Sequence, residues 1–195
     1  IVKAIKEGRI VYRNLKRLIR YLLTNNFGKV VAIVFAPVLG YEVPLLAVHL
    51  LWSNVIMESF PGVGISMEKG DSSIMKQKPS KIYEPLITVK ERIHMLIDGV
   101  IFGFGIILAY IFTLKLSGND LGVARTAAFA VTLLSPQIYV FVLRSGSLME
   151  KIKAPNILLK GFLLITIILI ALIVFIPGAN AIFLTKPIYD VNIWA

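Results

Sequence analysis

The chain has 195 residues, 57% of them hydrophobic, and a mean hydropathy of +0.80, values that exclude an ordinary water-soluble domain, whose surface must be polar. Its net charge of +10 comes from basic residues clustered between apolar spans, which favours a topogenic role over nucleic-acid binding. There is no cysteine, so disulfides and thiolate metal sites are excluded as well.

In chain order, residues 1–17 form a basic segment, IVKAIKEGRIVYRNLKR, with no cleavable signal pattern. It lacks an initial methionine and reads as a helix continuing from something upstream. The first apolar span runs from about Leu18 to Leu39. A short turn at Gly40-Tyr41-Glu42 leads to the second, about Pro44 to Ile65. A polar stretch, Ser66 to Arg92, separates it from the third, about Met95 to Leu116. The loop SGNDLG precedes the fourth, about Val123 to Leu143, and the fifth is about Ile157 to Ile176. The tail PGANAIFLTKPIYDVNIWA is too broken by Pro and Gly to span, and another span could begin near Trp194-Ala195. The expected fold is therefore all-α: a polytopic bundle of about five membrane helices.

Charge orients the spans. Seven Lys and Arg, Lys3 to Arg20, lie at the start, and six lie between Ser66 and Arg92. Arg144, Lys151 and Lys153 follow the fourth span. The opposite loops hold Lys115, Arg125 and Lys186. The alternation predicts a cytoplasmic N-terminus and polar stretch, with the C-terminus outside.

Two charges fall inside spans, Lys29 and Glu58, and intramembrane charges are rare and usually functional. Folding the first two spans as an antiparallel pair about Glu42 sets Lys29 level with Val55, and Asn26 level with Glu58. Asn26 and Lys29 share a helix face by their spacing, as do Asn54 and Glu58. The run ESFPGVG predicts a break in the second helix near Glu58–Gly64. A break at membrane depth frees carbonyls and is tolerated where it lines a cavity. Oxygen-rich side chains beside free carbonyls suit a hard cation, while a structural ion pair locking two helices is the competing reading. His49 reads as a neutral histidine hydrogen-bonded between helices. Asp98 reads as reaching the interface, Trp52 and Trp194 as packing or anchoring residues. Pro136-Gln137 predicts a break or kink in the fourth span that could add a carbonyl to a site. No phosphate-binding loop, metal-spaced histidine cluster or nucleophile motif is present, and no residue is assigned a catalytic role.

The run EGRIVYRNLKRLIRYLLTNNFGKVV resembles the junction in P-type cation pumps where the phosphorylation domain enters the fifth membrane helix. LLAVHLLWSNVIMESFPGVGIS resembles the sixth helix and GDSSIMKQKPSK the loop after it. GVARTAAFAV is similar to the entry of the eighth helix and DVNIW to the sequence before the tenth. The nearest branch is the calcium pumps of sarcoplasmic-reticulum type and their bacterial relatives. The resemblance implies that residues 18–195 are the C-terminal transmembrane domain, helices five to nine, and residues 1–17 the cytoplasmic continuation of a phosphorylation domain. That domain, helices one to four and membrane lipid are the implied partners. Mg and ATP are expected in the missing domains, none in this chain, and calcium is the expected transported cation.

The resemblance implies Asn26, Asn54 and Glu58 as ion ligands, with Asn54 and Glu58 forming the metal half-site. Lys29 stands where calcium pumps have a glutamate and becomes a counter-charge built into the site. Met57 replaces a threonine ligand, and Pro136 and Gln137 lie where the helix-eight glutamate is expected, making Met57 and Gln137 accessory positions. The implied protein is a cation pump, expected in a bacterial plasma membrane. A non-transporting structural membrane subunit and a lipid-translocating P-type relative stay open at this point.

Overall fold

The basic stretch and the first apolar span form one helix in the computed structural model, which describes residues 1–68, 70, 72–76, 85–144 and 157–188. Helix α1 runs Val2–Val38, 37 residues. At 1.5 Å per residue that is about 55 Å, nearly twice the ~30 Å hydrocarbon thickness of a bilayer. The composition therefore changes at residue 17 without a break in the backbone. The helix ends in a Schellman turn: Gly40, at φ +84°, donates to Pro37 O at 2.9 Å, and Tyr41 donates to Ala36 O at 3.0 Å.

The second span is built from three pieces: α2 (Ala47–Trp52), a π-helical turn (Ser53–Met57) and α3 (Ser59–Ser66). The Glu58 amide closes the π turn by donating to Ser53 O at 2.9 Å, five residues back. The interruption thus lies at Ser53–Glu58, immediately before the Pro-Gly run. Pro61, Gly62 and Gly64 sit within α3. Near a helix start proline costs little, because the first amides have no intrahelical acceptor to lose.

A short 3₁₀ turn (Ser72–Met75) follows. Helix α4 (Val89–Leu116) starts at a capping box: the Glu91 amide donates to Thr88 Oγ1 at 3.3 Å, and the Thr88 amide donates to Glu91 Oε2 at 2.7 Å. Helix α5 (Leu121–Leu143) is capped by Asp120, whose carboxylate accepts from the amides of Gly122 at 2.9 Å and Val123 at 3.3 Å. The Lys186 ammonium first, and then these amides, hold the Asp120 carboxyl below its usual range. Helices α6 (Ile157–Phe175) and α7 (Pro177–Phe183) complete the set.

Among the described residues every regular element is helical, and α1, α4 and α5 are each long and apolar enough to cross a membrane. One detail differs from the sequence reading. Pro136 does not break the fourth span, since α5 runs unbroken through it. Packing against neighbouring helices makes an interior proline tolerable there. The described part of the tail, residues 177–188, carries the seven-residue α7, too short to span. The QKPSK run at 77–81, Lys151, Lys153, DVNIW and Trp194 lie outside the described residues.

The main seam joins α1 to α4 through glycine. A Cβ at Gly103 would stand 2.5 Å from Val31 Cγ1 and 2.7 Å from Gly28 O. One at Gly28 would stand 3.0 Å from Phe102 Cβ and 3.1 Å from Gly99 O. Gly99 and Gly103 are four apart, so they share a face and let the two backbones touch. Two buried groups flank the seam. One holds Ile106, Ile107, Tyr110, Phe129, Leu133 and Met57; the other holds Tyr21, Ile65, Tyr139, Val140 and Leu159.

Candidate functional site

Lys29 leaves α1 on its buried face, 4% exposed. Side chains on a helix lean toward its N-terminus, so the lysine stem runs back along α1. The packing of Gly62 on Leu18, where an added Cβ would lie 3.3 Å from Leu18 Cδ1, fixes the register of α3 on α1. In an antiparallel pair this sets Glu58 near Leu22. The register is about one turn away from the pairing of Asn26 with Glu58 that symmetry about Glu42 predicts. The difference arises because the connection is not a symmetric turn about Glu42: it begins with the Schellman turn at Gly40 and runs on irregularly to Leu46. The length of the lysine side chain closes the gap.

Lys29 Nζ lies 2.5 Å from Glu58 Oε1, and Glu58 is 1% exposed. The same ammonium donates to Ser53 Oγ at 3.3 Å and to Asn54 Oδ1. One cation thus sits among three oxygens on the π turn and its C-terminal edge. The π geometry explains how one short segment offers all three. The extra residue in the turn brings Ser53 round to the side of Asn54 and Glu58, where a regular helix would keep Asn54 beside Glu58 but turn Ser53 away. Burying a lone ammonium at this depth costs at least about 2.5–3.5 kcal/mol on insertion scales, so the three acceptors are what make Lys29 tolerable there.

The remaining expected site residues are placed differently. Asn26 turns to its own helix, its Nδ2 donating to Leu22 O at 2.9 Å. It makes no described contact with the lysine cluster. The Met57 side chain is fully buried in the apolar core, and its contribution is a backbone carbonyl. Pro61, four residues on, has no amide with which to reach that carbonyl. Gln137 of α5 reaches it instead, its Nε2 lying 3.4 Å from Met57 O. Gln137 therefore answers the carbonyl that the proline frees, while the lysine cluster uses side-chain oxygens.

A second polar cluster lies toward the basic end of the same helices. Arg20 Nη2 donates to Asp98 Oδ2 at 3.0 Å, and Tyr139 Oη donates to the same oxygen at 2.8 Å. Arg20 Nε donates to Tyr139 Oη at 3.2 Å, and Thr24 Oγ1 lies 3.3 Å from that hydroxyl. Asp98 therefore binds α4 to α1 and α5; it does not simply reach the interface. Sequence reasoning missed this cluster. The available signal was an aspartate three residues into an apolar span, at the depth of Arg20.

At the opposite end, His49 Nδ1 accepts from the Leu46 amide at 3.2 Å and Nε2 lies 2.7 Å from Phe183 O. With one nitrogen accepting and the other facing a carbonyl, this is the neutral Nε2–H tautomer. It joins the second span to α7. Trp52 packs edge-on to Phe183, with ring centroids 4.9 Å apart.

Among the described residues no three His, Cys, Asp or Glu side chains converge as a metal cluster. A cation at this site would meet one carboxylate and several neutral oxygens. The exposed side of Asn54, Val55 and Ser59 lies next to the pair, so the site is closed on one flank and open on the other.

Comparison with known proteins gives a consistent result. The family described as "Cation transporting ATPase, C-terminus" matches residues 42–194. The chain is 33% identical over 189 residues to a calcium-transporting ATPase of Bacillus subtilis, covering 96% of this chain and 21% of that protein. It is 30% identical over 198 residues to a calcium-transporting ATPase of Listeria monocytogenes, covering 100% of this chain and 22% of that protein. An endoplasmic-reticulum-type calcium-transporting ATPase of Arabidopsis thaliana is 40% identical over 111 residues, covering 57% of this chain and 11% of that protein. The chain spans about a fifth of the length of the bacterial relatives it matches.

Proposed function

We propose, from the premise that this chain belongs to the cation-transporting ATPase family as its C-terminal part, that the whole protein pumps calcium or another metal ion across a membrane. ATP hydrolysis, with its Mg, belongs to the domains that the relatives carry and this chain does not span. The chain's role is to hold the ion in mid-membrane. The observation that carries this reading is the buried cluster of Lys29, Glu58, Asn54 and Ser53 on the π turn.

In this reading Lys29 is a cation supplied by the chain itself. Its ammonium stands at Glu58, where a transported ion would otherwise collect negative charge. While the pair is closed, Glu58 has no net charge to offer. A metal ion binds only when the ammonium swings away or gives up its proton. Glu58 and Asn54 then serve one ion at most, and further oxygens come from helices on the open flank. The competing reading is a lock that only joins helices, and the closed geometry of the pair favours it to that extent. Lys29→Glu in the full-length pump separates the two. For a transport site the added carboxylate should raise divalent-ion affinity at least tenfold in ion-stimulated ATPase assays. For a lock, two carboxylates facing each other should lower stability with no gain in affinity.

The basic residues of α1 and the 66–92 stretch support a cytoplasmic N-terminus in a bacterial plasma membrane, with the 66–92 stretch beside the phosphorylation domain. Cysteines placed at Ser72 and Ser117 of this cysteine-free sequence should react with a membrane-impermeant reagent from opposite sides. Reaction from one side at both positions would overturn this orientation.

A further inference from the structure

The basic ends of α1, α3, α5 and α6 meet at one cleft. Arg17 closes the basic stretch of α1, just before the first apolar span begins at Leu18. Glu68 follows the end of α3, Arg144 directly follows α5, and Leu159 stands in the first turn of α6. With Ile65, Val140 and Leu143 they line a cleft of about 210 Å³, its open mouth included. Contacts between the helices build its walls. Asn14 Nδ2 donates to Ser66 O at 3.1 Å and to Glu68 O at 2.7 Å, which ties the end of α3 to α1. Phe60 stacks on Phe162 with ring centroids 5.3 Å apart, and Gly64 leaves the room that the Leu159 side chain fills, which seats α6 on α3.

The floor of the cleft is apolar, with Ile65, Val140 and Leu159 all buried. Its rim is charged, and the balance is positive. Arg144 Nε and Nη2 both donate to Glu68 Oε1, at 3.0 and 2.8 Å, so that carboxylate is matched by one guanidinium. Arg17 adds a second cation to the rim, and Lys160, exposed beside Leu159, a third. Among the described residues lining the cleft, Glu68 is the one acid. Surplus positive charge selects an anion, and the apolar floor selects one that carries hydrocarbon. The cleft is smaller than the ~300–1,000 Å³ of a small-molecule pocket, so it takes a headgroup and leaves the rest of the ligand outside. We propose that this cleft binds the headgroup of an anionic phospholipid, with its phosphate beside Arg17 and Arg144 and the start of its acyl chains along Leu143.

The chemistry suits the residues. A guanidinium presents its donors in a fixed fork that matches phosphate oxygens, and a basic pocket between membrane helices on the cytoplasmic side recruits anionic headgroups. A free phosphate ion would meet the same charges and gain nothing from Leu143 or the apolar floor. The inference rests on the reading of this basic end as cytoplasmic, where the leaflet carries the negative surface potential. The bound phosphate bridges α1, α5 and α6, so it holds the start of α6 to the rest of the bundle.

The test uses the full-length pump purified in neutral detergent, with neither ATP nor calcium added. Phosphatidylglycerol is titrated in, thermal unfolding is followed by tryptophan fluorescence, and retained lipid is counted by native mass spectrometry. The unfolding midpoint should rise and saturate, with a single tightly held lipid, and phosphatidylcholine at the same doses should do neither. Arg17→Gln and Lys160→Gln should each raise the half-maximal dose about fivefold, the loss expected for one juxtamembrane charge. Leu143→Trp fills the cleft, leaves every charge in place and should weaken binding as well. The dose is compared within each variant, so one that is less stable in neutral detergent still reports. Equal shifts by phosphatidylglycerol and phosphatidylcholine overturn the proposal. An equal shift by inorganic phosphate also overturns it, because the site would then take a free anion. Unchanged affinity in all three variants overturns it too, because the lipid would then sit elsewhere on the membrane surface of the protein. Failure of the ion-site reading leaves these results untouched, and failure of the orientation shows instead in the labelling of cysteines at Ser72 and Ser117.

Discussion

Lys29→Met should be among the most damaging single changes in this chain, lowering the unfolding free energy by about 3–5 kcal/mol, the range found when one partner of a buried ion pair is removed. Methionine matches the length of the lysine stem, so packing is kept and charge is lost. Glu58, 1% exposed, then has no cation, while Asn54 and Ser53 lose their donor. The carboxyl must take up a proton or draw in water. The double variant Lys29→Met/Glu58→Met should recover most of the loss, because an apolar pair of similar volume replaces a buried ion pair at little cost. Thermal unfolding of the purified full-length protein in detergent, followed by tryptophan fluorescence, measures both. Transport should be lost in the double variant, which removes the carboxylate, if Glu58 is an ion ligand. A single variant less than about 1 kcal/mol destabilised would show that the pair contributes little to folding.

Gly103→Ala should cost about 1–3 kcal/mol or more, although alanine is the better helix former by nearly 1 kcal/mol. Its Cβ would meet Gly28 O at 2.7 Å, and backbone atoms cannot step aside as a side chain can. The two helices must separate, next to the residue that carries the lysine. Gly105, two positions along the same helix, is the control: a Cβ there meets nothing within 4 Å. Gly105→Ala should be neutral or slightly stabilising. Equal effects of the two substitutions on the thermal midpoint would refute the glycine seam.

The legible features were those with a strong composition signal. Apolar runs gave the spans, and a charge inside such a run is conspicuous whatever the fold, which is why Lys29 and Glu58 stood out. Asn54 followed from helix spacing. What could not be read is register. A symmetric hairpin pairs Asn26 with Glu58, but the irregular connection at 39–46 shifts the second span by about one turn, and Asn26 bonds to Leu22 instead. Nor does sequence announce a π turn. The eye goes to Pro61 and the glycines, yet the extra residue is inserted at Ser53–Met57, where nothing in composition marks it. Asp98 reads from sequence as an interfacial charge because its partners, Arg20 and Tyr139, lie 78 and 41 residues away.

Helix α1 extends about 40 Å from Val2 to Gly28, and it is at Gly28 that its backbone rests on α4. The rod also meets α4 through Arg20 and Asp98, but the glycine seam, where the two backbones touch, can serve as its fulcrum. Tilting the basic arm by about 10° about that point would carry its far end through about 7 Å by the same helix geometry. Lys29 is one residue beyond the fulcrum, so the same tilt would translate it hardly at all and chiefly change the direction in which its ammonium points. Large travel at one end thus becomes a small change of aim at the other, and a change of aim is what a cation shared among Glu58, Asn54 and Ser53 requires in order to let go.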